Sequence, residues 1–174
     1  ILIYKAELVP VGEDQLQHLE FARTIARTFN KKFGRIFPEP KAILTKAPRV
    51  MSLNNSNQKM SKSLPHGCLF LTDSPRVMRQ KIMSAQTDSY KAVDYDLEKR
   101  PAISNLVMIY AELAGLTTYD VVRMFQGVSY AEFKKELAEM VVETFQPFQE
   151  RRAKLLKNRD GVMKILEEGA RKAR

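Results

Sequence analysis

The run Asn57-Gln58-Lys59-Met60-Ser61-Lys62-Ser63-Leu64-Pro65 sets two lysines three residues apart and alternates them with two serines. Two ammonium groups on flexible stems are compact point charges. The hydroxyls and backbone N–H groups beside them add hydrogen-bond donors. Such a loop can wrap a triphosphate and stabilise the charge that develops on departing pyrophosphate. Its flexibility lets it close over a nucleotide and reopen to release product. It is not a Walker loop, which needs glycines and a following helix; no glycine lies inside this run. A solvated surface loop with ordinary lysines would have the same composition, so the spacing alone leaves both readings open.

The chain that must position these residues has 174 of them, enough for one domain or one and a half. Hydrophobic residues make up 44% and charged residues 28%, an ordinary globular composition. No apolar run approaches the ~18–20 residues of a membrane span, which argues against a membrane protein. The formal net charge is +9 and the pI is near 9.7, an excess that suits a polyanionic partner, nucleic acid before membrane surface. Cys68 is the one cysteine, so no intrachain disulfide can form. It has no clustered Cys or His neighbour and is expected to be structural or incidental. The chain opens on Ile1 rather than Met, and ILIYKAELVPVG lacks the basic start and small-residue cleavage site of a signal peptide. It reads like the middle of a fold, so the chain is expected to be a piece of a longer protein missing an N-terminal part.

Residues 1–11 suit a short buried strand ending at a turn at Gly12. From Glu13 to Phe33 the period changes. Leu16, Leu19, Ala22, Ala26, Phe29 and Phe33 recur at helical spacing, and Gly34 stands where a helix ends. Strand, glycine turn and helix in that order are the grammar of an α/β nucleotide-binding layer. Residues 35–48, with Pro38, Pro40 and Pro48, read as a loop; Arg49–Leu53 as a short buried strand; 54–67 as a polar loop. Helix signals then dominate. Ser74-Pro75 is an N-cap followed by a first-turn proline. Pro101 starts a helix ending at Gly115, and Thr117/Asp120 and Ser129/Glu132 are spaced as capping boxes. The second box opens a long helix with Phe133, Leu137, Met140, Val141, Phe145 and Phe148 on one side and Pro147 late in the run, where it is expected to kink or end the helix. A last helix is predicted over 161–172. The fold class expected is α/β followed by all-helical.

Lys59-Met60-Ser61-Lys62-Ser63 resembles the second signature of the class I aminoacyl-tRNA synthetases. Its context narrows the resemblance to the tryptophanyl-tRNA synthetases. The stretch VPVGEDQLQHLEFARTIARTFNKKFG (9–34) is similar to the strand–turn–helix preceding the signature in that family. So are FLTDSP (70–75), RPAISNL (100–106) and YAEFKKELAEMV (130–141). The resemblance implies the C-terminal part of a Rossmann-like catalytic domain over 1–66, followed over 67–174 by a helical domain that binds the tRNA anticodon. It implies activation of tryptophan by ATP with Mg²⁺, release of pyrophosphate, and transfer of the aminoacyl group from tryptophanyl-adenylate to tRNA(Trp). It also implies a homodimer in the full-length protein. Bacterial cytoplasm is the expected compartment, with an organelle matrix as the alternative.

Carried over residue by residue, Lys59 and Lys62 correspond to the motif lysines that meet the ATP phosphates, with Met60, Ser61 and Ser63 shaping the loop and offering donors. Gly12, Glu13 and Asp14 would meet the ribose and adenine side of ATP, although an acidic first helical turn also favours the helix dipole. Val50 matches a position whose backbone meets adenine. Gln15 resembles a residue that contacts bound tryptophan, and Val9 and Val11 would line the indole pocket; strand packing accounts for the two valines equally well. His18 and His66 are expected to be structural or exposed. No cluster has metal-ligand spacing, so Mg²⁺ would be held mainly by nucleotide phosphates and water. Lys134, Lys135, Arg151, Arg152, Lys154, Lys157 and Arg159 crowd the later helices, either as solvated faces or, in part, as contacts to RNA backbone phosphates.

The sequence departs from the family in three ways. The HIGH-like ATP signature is absent, and His18 is not part of one. The acidic residue that pairs with the indole N–H would fall just before Ile1. Leu64 follows the motif where Asp is common. The chain by itself is therefore expected to be inactive. Tyrosyl-tRNA synthetase shares the architecture and is the nearest rival, disfavoured by the GEDQ turn and RPAISNL; a non-catalytic RNA-binding module derived from a synthetase is the other.

Overall fold

The structure, a computed structural model, describes residues 1–12, 15–44 and 49–174. The chain separates into two compact units, Ile1–Ala47 with Leu166–Arg174, and Pro48–Ile165. The expected division at 66/67 concerns function; compact packing divides the chain nearer residue 47 and groups the Lys59–Ser63 loop with the helices.

In the smaller unit a 3₁₀ turn at Leu2–Tyr4 precedes strand β1 (Leu8–Val11), helix α1 (Leu16–Phe33) and strand β2 (Lys41–Leu44). The strands pair in parallel with Leu8 opposite Lys41 and Val11 opposite Leu44. This is a βαβ unit, and β2 corrects the expectation of a loop over 35–48. Four residues between Pro40 and a further proline carry little strand signal of their own; the ladder to β1 supplies it. Helix α1 buries Leu19 and Ala26. Arg23 donates to the Pro40 carbonyl at 2.7 Å, and Arg27 forks onto Glu39 at 2.8 and 2.9 Å. The Asn30 side chain accepts from the Ile36 and Phe37 amides and donates to the Phe37 carbonyl, which fixes the turn back towards β2. The expected burial of β1 is not found: Leu8 and Pro10 are exposed, and Val9 and Val11 are half-buried. Phe33, placed on the inner face of α1 by periodicity, is also exposed. Parallel strands are usually covered by layers on both faces, and two strands with one helix are too few to do so.

The larger unit holds α2 (Pro75–Met83), α3 (Pro101–Ala114), α4 (Thr118–Met124) and α5 (Tyr130–Lys157); α6 (Arg159–Ala173) follows. Caps expected from sequence form here. The Ser74 hydroxyl accepts from the Val77 amide, and both Thr117/Asp120 and Ser129/Glu132 close as reciprocal capping boxes. Gly115 takes φ 67°, the left-handed conformation that ends a helix at little cost only for glycine. Helix α2 packs on α5, and α3 packs on α4 and α5. Their shared core includes Met78, Ile82, Ile103, Leu106, Val107, Leu137 and Val141. Tyr110, Phe125 and Phe133 form an aromatic trio with centroids 4.9–6.0 Å apart. Helix α5 continues through Pro147 for another ten residues to Lys157, so the proline does not end it. Phe148, just past that proline, is exposed rather than internal.

Candidate functional site

The Lys59–Ser63 loop grows out of a small hairpin rather than the short buried strand expected at 49–53. Met51 and Lys59 form a single antiparallel bridge. The Ser52 amide donates to the Gln58 carbonyl at 2.8 Å and the Met60 amide to the Val50 carbonyl at 3.1 Å. At the tip, the Gln58 amide donates to the Asn55 carbonyl and the Asn57 amide to the Asn55 side chain. Asparagine and serine suit such a turn because their side chains hydrogen-bond local backbone.

Beyond the bridge the chain turns again. The Leu64 amide donates to the Ser61 carbonyl at 3.1 Å, and the Ser63 amide to the Ser61 hydroxyl at 3.3 Å. Lys62 and Ser63 thus occupy the middle of a turn. A 3₁₀ turn at Pro65–Gly67 returns the chain inward, and the Gly67 carbonyl accepts from the Leu53 amide. Gly67 is buried, and an added Cβ would press on the Ser52 side chain, whose hydroxyl would have to turn away.

The two lysines are exposed, Ser63 is exposed, and Met60 and Ser61 are half-buried. Among the described residues neither lysine ammonium enters an ion pair or a side-chain hydrogen bond. His66 is exposed, and its carbonyl accepts from Asn54. Val50, half-buried, spends its carbonyl on Met60 within the hairpin.

The remaining sequence-predicted residues belong to the smaller unit. Gly12 is exposed, and its carbonyl accepts from the Gln15 amide at 3.0 Å, immediately before α1. Gln15 is exposed at the N-cap position. Val9 and Val11 share a half-buried side of β1. Glu13 and Asp14 lie outside the described residues. His18 is exposed.

Lys134 is a correction. Rather than lying on a solvated face, it is buried, and its ammonium donates to the Ala85 carbonyl at 2.6 Å and the Met83 carbonyl at 3.3 Å. Burial pulls its pKa below the ordinary lysine value. It caps the C-terminal end of α2, where the last helical carbonyls lack intrahelical partners. Lys135, Arg151, Arg152, Lys154, Lys157 and Arg159 are exposed.

Periodicity also gave no hint of the network around Arg100. Its guanidinium forks onto Asp88 at 2.8 and 3.2 Å, reaches Asp94 at 3.0 Å, and donates to the Ala92 carbonyl and the Tyr130 hydroxyl at 2.6 Å each. Burial alone would raise the Asp88 carboxyl, but hydrogen bonds from Arg100 and Tyr130 outweigh it and hold the group below its ordinary value. Burial, and then the bond to Asp88, push the Tyr130 hydroxyl up to about 12. The signal available in the sequence was an arginine directly before a first-turn proline, which on its own says only that a helix begins.

Among the described residues no group of three or more His, Cys, Asp or Glu side chains could hold a metal ion. No described helix is long and apolar enough to cross a membrane.

The model of the family of class I tRNA synthetases (W and Y) matches residues 1–146. The chain is similar to the tryptophan–tRNA ligase of Bacillus subtilis, 44% identical over 176 residues, covering 99% of this chain and 53% of that protein. Among solved structures, a tryptophanyl-tRNA synthetase from Mycoplasma pneumoniae matches with a TM-score of 0.82 at 30% identity, covering 99% of this chain and 53% of that one. One from Campylobacter jejuni, complexed with ADP and tryptophan, matches with a TM-score of 0.74 at 32% identity, covering 100% and 54%. The chain spans about half the length of the curated relatives it matches. These likenesses bear out the fold class expected from the sequence, an α/β part of a class I synthetase followed by helices.

Proposed function

The chain belongs to the class I tRNA synthetases of the W and Y group, and from that premise we propose that the protein carrying it is a tryptophan–tRNA ligase. The observation that carries this reading is the Lys59–Ser63 loop. It offers two exposed ammonium groups from a hydrogen-bonded base, in a chain 44% identical to a ligase of that specificity.

In the proposed reaction a tryptophan carboxylate oxygen attacks the α-phosphorus of ATP. A new O–P bond forms, the bond to the bridging oxygen breaks, and pyrophosphate leaves with the electron pair. Lys59 and Lys62 take the phosphates and offset the negative charge that grows on the leaving group, a contribution of about 3–4 kcal/mol per key contact. Met60, Ser61 and Ser63 hold the loop's shape. Gly12, Glu13, Asp14 and the Val50 backbone are assigned to the nucleoside side of ATP, and Gln15, Val9 and Val11 to tryptophan. A ribose hydroxyl of tRNA(Trp) then attacks the activated carbonyl and AMP departs.

Mg²⁺ would supply further charge neutralisation from the nucleotide phosphates, since this chain offers no ligand cluster for it among the described residues. Arg151, Arg152, Lys154, Lys157 and Arg159, all exposed, suit contacts to tRNA backbone phosphates and a salt-sensitive affinity. We assign residues 67–174 to anticodon binding, a homodimeric assembly to the full-length protein, and the bacterial cytoplasm as its compartment. Residues 1–174 alone are expected to form no adenylate.

The test is ATP–pyrophosphate exchange by the full-length protein with tryptophan against tyrosine. Exchange with tryptophan is expected; exchange with tyrosine only, or with neither, overturns the assignment.

A further inference from the structure

Helix α3 is apolar along most of its buried length, yet Asn105 sits in it at 3% exposure. A buried amide must find partners, and Asn105 finds both on one residue 54 positions away. The Met51 amide donates to its Oδ1 at 2.9 Å, and its Nδ2 donates to the Met51 carbonyl at 3.0 Å.

The pairing pattern of the hairpin explains why Met51 needs this. The bonds from Ser52 to Gln58 and from Met60 to Val50 flank the Met51–Lys59 pair. In an antiparallel ladder such a pair makes no bonds of its own, and its N–H and C=O groups point outward. The outward edge of Met51 is therefore unpaired by the hairpin, and the Asn105 amide occupies it like a strand one residue long. A second tie lies nearer the hairpin tip, where the Gln86 amide donates to the Leu53 carbonyl at 2.7 Å and the Gln86 side chain accepts from the Ser56 amide at 3.3 Å. Asn105 holds the open end, the end from which Lys59 and the turn bearing Lys62 continue.

We propose that Asn105 is a positioning residue for the cationic loop: its amide fixes Met51, the flanking Ser52–Gln58 and Met60–Val50 bonds hold Lys59 opposite Met51, and the loop moves over its ligand about that anchored base. The catalytic consequence rests on the phosphate role given above to Lys59 and Lys62; the anchoring does not.

The experiment uses the full-length protein with Asn105→Ala and, as a control for lost stability, Val107→Ala, which removes core volume from the same helix. If Asn105→Ala does not fold, Asn105→Ser is read in the same way. Amide hydrogen exchange is followed at Met51, Ser52 and Met60, and pyrophosphate exchange is measured at varied ATP and tryptophan. For Asn105→Ala, the three amides are expected to exchange at least tenfold faster while amides of α5 stay within twofold. The rate at saturating substrates falls at least tenfold with KM for tryptophan within twofold. Val107→Ala lowers the melting temperature but leaves the kinetics per folded molecule unchanged. Hairpin amides that exchange as in the unmodified protein overturn the proposal, as do Asn105→Ala kinetics that match those of Val107→Ala. Should the unmodified protein show no exchange with tryptophan, the functional reading fails, while the amide data still decide whether Asn105 anchors the hairpin.

Discussion

Two pairs of basic residues in the larger unit behave in opposite ways. Arg100 and Lys134 are buried, and their donors are spent on Asp88, Asp94, Tyr130 and the carbonyls of Met83, Ala85 and Ala92. Lys59 and Lys62 are exposed on a loop whose backbone is pinned but whose ammonium groups are unpaired among the described residues. The first pair is structural: a buried cation survives only where hydrogen bonds replace its lost water. The second pair is exposed to solvent, the condition its proposed phosphate role requires. A cation's role is thus decided by what already surrounds it, and surface charge alone says little.

The contrast is broken most directly at Arg100. Replacing it with Ala leaves the half-buried Asp88 without its main partner and should cost about 3 kcal/mol of stability, read as a lower urea midpoint with an unchanged slope. Lys62→Ala should do the reverse. Its pyrophosphate exchange should fall by about 10²–10³-fold, in line with ~3–4 kcal/mol of lost transition-state stabilisation, with the melting temperature unaltered. Unchanged turnover would remove the proposed role of the loop.

A smaller effect is expected from Lys134→Met, which keeps the volume but leaves the Ala85 and Met83 carbonyls without their donor. The cost should be about 1–3 kcal/mol in urea unfolding, with tRNA affinity unaffected. Were Lys134 instead an RNA contact, the affinity would fall and the stability would not.

The pH dependence sharpens the same division. Asp88 is held below its ordinary carboxyl value when folded. The unfolded chain therefore binds its proton first as pH falls. The stability Asp88 contributes is fully present above about pH 4 and is lost as pH drops through the folded value. Acid unfolding curves of the Arg100→Ala protein should have a shallower slope below about pH 4 than the unmodified protein. The smallest change is expected from Lys135→Ala, within about 0.5 kcal/mol, because Lys135 is exposed while its neighbour Lys134 is not.

Local chemistry was legible without a structure. The two capping boxes, the Ser74 cap and the helix end at Gly115 depend on residues within about one turn of each other, so their types and spacing suffice. The Lys59–Ser63 loop was legible for the same reason, since a turn and its cations are contiguous. Strand β2 was not, because Lys41–Leu44 becomes a strand only through its pairing with Leu8–Val11. Nor was the burial of Lys134, adjacent in sequence to the exposed Lys135, because the carbonyls that receive it lie about 50 residues away.

The sequence by itself determined where several helices are capped, that two lysines stand three apart on a polar loop, and that the chain carries an excess of positive charge. Only the tertiary structure decided which cations remain free to act, and that Asn105 reaches 54 residues along the chain to hold Met51. The physical reason is range. Caps and turns are satisfied by neighbours along the chain, whereas desolvation and the hydrogen bonds that offset it depend on groups that only folding brings together.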